Sequence, residues 1–201
     1  MIHNLAKRMA SVFVLYGESS EEDADIYTYA CEAVLAVLAN IIICLIIAFI
    51  FGRVTEGIIF IFAFILLRRY AGGHHAKTHF NCILTFGVIF TCAMMLVPMI
   101  RQLPFGNFIT LTTALAAGIG ISALAPAEHK NKLSGHEFHR AQKKKSMYLV
   151  FALWLFCLID FYILNSRISF IIALSMLSVF GSMAYATIYS CVELRKGVKT
   201  W

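Results

Sequence analysis

The feature that most restricts this chain is the spacing of its apolar runs. Mainly apolar stretches occupy about 28–51, 54–67, 82–100, 107–126, 147–164 and 168–192, with charged residues gathered in the short segments between them. A membrane-crossing helix needs roughly 20 such residues. The pattern therefore predicts an all-α polytopic membrane protein of about six transmembrane helices, filling residues 1–201 as a single membrane domain. Composition supports this: 60% of residues are hydrophobic and 14% charged, too few charges for a soluble domain to cover that much apolar side chain. The second run is short for a crossing. It either tilts, gains length from snorkelling Arg68 and Arg69, or is partly re-entrant. In the fourth, Gly118, Gly120 and Ser122 suit close helix packing. Ahead of the first run, Leu5, Met9, Val12 and Phe13 recur at helical spacing beside Lys7 and Arg8, predicting a short interfacial helix over 1–16.

The basic residues orient the bundle. With six spans, every Lys and Arg except Arg53, Arg101 and Arg167 falls on one side. The positive-inside rule makes that side cytoplasmic, with both termini and the 68–81 and 127–146 loops. The net charge of +6 is thus a matter of topology and of attraction to the lipid bilayer, and no nucleic-acid partner is expected. No secretory signal is expected either. The apolar run after Lys7 and Arg8 is brief, and Glu21, Glu22, Asp23 and Asp25 stand where a small-residue cleavage site belongs. The six cysteines show no disulfide framework and no CxxC pair, so most are expected to be small buried hydrophobes.

The densest chemistry lies between Arg68 and Cys82, which takes in Arg69, Gly72, Gly73, His74, His75, Lys77 and His79. A thiol protease needs a cysteine whose thiolate is stabilised by a histidine that later protonates the leaving amine. Seven helical steps from His75 to Cys82 would put them roughly 10 Å apart along the axis, beyond hydrogen-bond reach. Direct pairing therefore requires His75 on a non-helical segment folded back over the start of the third span, with Gly72 and Gly73 giving the backbone that freedom. Cys82 would then sit at a helix N-terminus among Arg68, Arg69 and Lys77, conditions that favour a thiolate. On spacing alone, a plain packing role for Cys82 stands beside the nucleophile reading.

This segment resembles the signature of the accessory gene regulator protein B (AgrB) family, membrane cysteine endopeptidases of Gram-positive quorum sensing. The family pattern is a basic pair, a Gly-x-His and a Cys seven residues after that His; Arg68-Arg69, Gly73-His74-His75 and Cys82 match it. Ala125-Pro126 leading into Lys130 and Lys132 is similar to the family's Ala-Pro-rich stretch before a Lys-rich cytoplasmic loop, and Glu32 fits an acidic position usual in its first span. The resemblance implies a bacterial cell-membrane location and a short amphipathic propeptide partner with an acidic C-terminal tail. It also implies a catalytic pair of His75 and Cys82. Cys82 would form an acyl-enzyme thioester that an internal Cys or Ser captures, closing a thiolactone or lactone ring. Glu32, Arg68, Arg69, Gly73, Lys130 and Lys132 are the candidates for orienting or binding roles. Small-residue helix faces suit pairing into a homodimer.

Other readings remain. His74, His75 and His79 could ligate a metal, which would make this a metal-binding membrane transporter or another non-enzymatic protein. His136-Glu137-Phe138-His139 is one residue too short for the metalloprotease helix motif, and no metal or other cofactor is expected. Glu32 could orient His75 or merely pair with Arg68 or Arg69. Asp160 is expected at the outer membrane interface. The Phe-rich stretch 60–64 is lipid-facing or packing material.

Overall fold

The computed structural model describes residues 2–15, 24–72, 79–125, 136–164 and 168–195. They form an all-α bundle: α1 Ile2–Leu15, α2 Ala24–Ile50, α3 Val54–Ala71, α4 His79–Arg101, α5 Gly106–Leu124, α6 His136–Ile159 ending in a π-helical turn Asp160–Leu164, and α7 Ile168–Arg195. Five of these helices, α2, α4, α5, α6 with its π turn, and α7, contain stretches long and apolar enough to cross a membrane. The 18-residue α3 carries Glu56 in its first turn and Arg68 and Arg69 in its last. Its apolar stretch is as short as the sequence suggests.

Four helices pack around α7, α5 and α3 most extensively, with α6 and α4 beside them. Its residues from Ser169 to Met176 are all buried, which is how a helix apolar on every side is accommodated at a bundle centre. Over their membrane-length stretches 56% of α7 is buried, against 17% of α2; α2 is the peripheral helix. Close approaches depend on small residues, as the sequence predicts for α5. A methyl group on Gly118 would meet Val150 of α6 at 3.0 Å and Met176 of α7 at 3.4 Å, and one on Gly120 would collide with the Phe180 ring. On the other flank, Gly57 of α3 lets Ala48 of α2 approach within 2.6 Å of where its own Cβ would lie.

An aromatic cluster joins α3 to α4. Phe60, Phe64, Phe86 and Phe90 are buried together; the Phe64 and Phe86 centroids lie 4.4 Å apart, and Phe60 meets Phe90 edge-on at 5.4 Å. Such pairs add about 0.5–1.5 kcal/mol each beyond area burial. The 60–64 stretch therefore serves both purposes foreseen: Phe60 and Phe64 pack, while Phe62 points outward. The small α1 docks on α2 with Ala6 and Ala10 buried, leaving Leu5, Met9, Val12, Lys7 and Arg8 on its open face.

Asp160 corrects the expectation of an interfacial carboxylate. It opens the π turn and is 1% exposed, close enough to Cys157 to act on it electrostatically. The extra residue in a π turn rotates the following side chains relative to an α-helix. Here the carboxylate at that change of pitch lies inside the bundle, beside the start of α7.

Candidate active site

Where α3 ends and α4 begins, the bundle has a basic end. α3 terminates because Gly72 takes φ +80°, a backbone region that L side chains rarely adopt, while its N–H still donates to the Arg68 carbonyl at 3.0 Å. That is a glycine stop with a sharp change of direction, placed where the sequence called for one. Gly73 and His75 come next, and they lie outside the described residues, as do His74, Lys77, Lys130 and Lys132. α4 then starts at His79, which puts Cys82 in its opening turn. There the aligned peptide dipoles give the helix its positive pole.

The Phe cluster seats Arg68 at this junction. Its guanidinium lies 5.6 Å from the Phe64 ring centroid, a cation–π contact that compensates part of its lost hydration. Burial pushes the Arg68 pKa down, and Cys82, as its charged neighbour, pulls it back up. Arginine stays protonated in proteins under such a shift. The fold therefore brings a permanent cation within electrostatic range of the Cys82 sulfur, two groups that lie fourteen residues apart in the chain. Both side chains are half-buried, so the sulfur is neither sealed in the core nor fully hydrated.

Arg69 points elsewhere. Its guanidinium lies 5.9 Å from the Tyr70 ring centroid, and the Lys145 ammonium of α6 lies 6.0 Å from the same ring. Tyr70 thus ties α3 to the first turns of α6, where Arg140, Lys143, Lys144 and Lys145 are exposed. Sequence reasoning counted Lys145 among the basic loop residues but had no signal for its pairing with Tyr70, because the contact spans two helices. Glu32 is half-buried on α2 and engaged in an interaction of its own; α2 packs on both α3 and α4.

Among the described residues, four other cysteines differ from Cys82 in setting. Cys31, Cys44 and Cys157 are buried and Cys92 faces outward from the middle of α4. Among the described residues no group of three His, Cys, Asp or Glu could hold a metal ion. What the basic end offers chemically is a thiol at a helix N-terminus, a fixed cation beside it and a rim of further positive charge. This arrangement suits a thiolate nucleophile and the handling of anionic groups.

Comparison with known proteins gives the family. The family described as Accessory gene regulator B matches residues 6–188, a span that includes every helix from within α1 into α7. The chain is similar to AgrB-like protein 2 of Clostridium perfringens strain 13, with 27% identity over 160 residues that cover 78% of this chain and 75% of that protein. An AgrB-like protein of Clostridium perfringens strain SM101 is 28% identical over 193 residues, 94% of this chain and 90% of that one. A third, from Listeria innocua, is 29% identical over 146 residues, 71% and 70% of the two chains. No solved structure matches. By a match that runs through the Arg68–Cys82 junction and the central helix alike, this membrane protein belongs to the accessory gene regulator B family of quorum sensing, with the role in peptide processing that the family carries.

Proposed function

We propose that the chain is a membrane cysteine endopeptidase that removes the acidic C-terminal tail of a short amphipathic propeptide and promotes ring closure of the remainder. The observation that carries this reading is the placement of the Arg68 cation beside the Cys82 thiol at a helix N-terminus. The basic end faces the cytoplasm, where Lys and Arg accumulate in polytopic chains, and the propeptide approaches along the inner leaflet.

In the first step Cys82 gives its proton to His75 and its sulfur attacks the carbonyl carbon of the bond before the tail. The tetrahedral oxyanion collapses, the C–N bond breaks, and His75 returns the proton to the leaving amine. The signal segment is left as a thioester on Cys82. In the second step a Cys thiol or Ser hydroxyl within the propeptide attacks that thioester, its proton passes through His75 to the Cys82 sulfur, and a thiolactone or lactone is released. A tethered nucleophile has a high effective molarity relative to an external one. Arg68 offsets the negative charge on sulfur in both steps. Glu32 orients His75 or shapes the groove, and Arg69, Lys130 and Lys132 draw in the acidic tail by charge complementarity.

The test is intact mass of a co-expressed propeptide with the unaltered chain and with Cys82→Ala. Loss of the tail with a product one water short of the linear peptide, in the unaltered chain only, is the expected result. Linear tail-free peptide removes the cyclisation step. Full-length propeptide in both samples, with both proteins present in the membrane, overturns the peptidase reading in favour of a transporter.

A further inference from the structure

Two cations from different helices meet over one ring at the basic end. The Arg69 guanidinium of α3 lies 5.9 Å from the Tyr70 centroid, and the Lys145 ammonium of α6 lies 6.0 Å from it. Both charged side chains are exposed, and Tyr70 is half-buried. The ring attracts each cation, but the two like charges repel one another. An anion set between them removes that cost and accepts hydrogen bonds from both.

The surface below the two cations indicates what carries the anion. On α3, Arg69 heads a stripe at helical spacing formed by Ile65, Phe62 and Ile58, all three exposed. On α6, Lys145 heads a second stripe formed by Tyr148, Ala152 and Phe156, all exposed as well. The two helices pack together, α3 reaching the basic end by its last turn and α6 by its first, so both stripes run from the cations toward the opposite end. Each covers eleven helical steps, roughly 16 Å. One leaflet of hydrocarbon is about as deep, being half of a core of roughly 30 Å. Cations above a leaflet-deep apolar surface, with a tyrosine at the boundary, are complementary to an anionic amphiphile. An acidic peptide would use the cations and leave the stripes unused.

We propose that Arg69, Tyr70 and Lys145 form a binding site for one anionic phospholipid, with its phosphate between the two cations and its chains along the α3 and α6 stripes. The site does not require Cys82 chemistry, so the lipid test and the peptidase test can fail separately. The full chain in mild detergent is mixed with equal amounts of phosphatidylglycerol and phosphatidylcholine, and retained lipid is read by native mass spectrometry. Phosphatidylglycerol should be retained in preference. Arg69→Gln and Lys145→Gln should each weaken its retention about five-fold, the effect of one basic residue on an anionic lipid, and leave phosphatidylcholine unchanged. Lys145→Arg should keep the preference. Lys143→Gln removes the same charge from the opposite side of α6, about 200° away, and should alter nothing. Glycerol 1-phosphate and a soluble glutamate-rich peptide lack the chains, and neither should displace the lipid at equal concentration. Displacement by either one would give the cations to a soluble anion and overturn the site. So would an equal loss in all three Gln variants, which is diffuse attraction, or the absence of any preference for phosphatidylglycerol.

Discussion

Cys82 and Cys157 lie at opposite ends of the bundle, and each has an ionisable side chain close by. At the basic end, Cys82 is half-buried in the first turn of α4 beside the Arg68 guanidinium. At the far end, Cys157 is 1% exposed, donates its thiol proton to the Ser169 carbonyl at 3.6 Å and has the Asp160 carboxylate as its neighbour. One sulfur has a cation and an open side; the other has an anion, a carbonyl and a closed one. The difference teaches that cysteine in a membrane helix carries little meaning by type, and that the sign of the neighbouring charge together with access decides what the sulfur can do.

The sharpest way to break the contrast is to replace each thiol by hydrogen, as alanine does. Cys82→Ala should lower propeptide processing by roughly a thousand-fold or more, as removal of a covalent nucleophile does, whereas Cys157→Ala should leave processing intact. Intact mass of the product decides both. A smaller effect is expected from Arg68→Gln. The guanidinium is the cation within electrostatic range of the sulfur, and a neighbouring cation speeds attack by a cysteine. Alkylation of Cys82 by iodoacetamide at neutral pH should slow by about ten-fold, with Arg68→Lys recovering part of the rate. Smaller again is a labelling difference in unaltered protein: a membrane-impermeant maleimide added to inside-out vesicles should modify Cys82 and spare Cys157 until the bundle is denatured, as read by peptide mass. Last, Gly120→Ala should lower the melting temperature in detergent by an amount equivalent to about 1–3 kcal/mol through overpacking against Phe180. It should not alter the Cys82 alkylation rate, since it acts on the α5–α7 contact alone.

Much of the fold was legible because the apolar runs and the bilayer thickness speak of the same length. The junction was legible in outline: the apolar runs stop at 67 and resume at 82, while α3 continues to Ala71 and α4 begins at His79, because polar residues at helix ends carry no hydropathy signal. What one sequence cannot display is which side of a membrane helix turns inward, because lipid and protein interior are both apolar. On α2, Ala36, Cys44 and Ala48 are buried while Ile42, Ile46 and Phe49 face out, and hydropathy ranks the outward set as the more hydrophobic. Small size marks the inward face here. For the same reason nothing in the sequence singles out Ser146, which the bundle buries completely. Asp160 read as interfacial because its distance along the chain was known and its rotation was not.

The brevity of α3 bears on how the site meets its surroundings. From Glu56 to Arg68 is about 18 Å along a helix axis, well under the roughly 30 Å of a hydrocarbon core. For α3 to cross, the lipid around it has to thin or its charged ends have to be drawn inward, which would concentrate hydrophobic mismatch on the helix that holds Arg68. The Phe64–Phe86 contact couples α3 to the α4 turn that follows Cys82, so a displacement of α3 would be felt there. Acyl-chain length in the host membrane is thereby a physical input to this junction, with short-chain lipids relieving the strain and long-chain lipids adding to it.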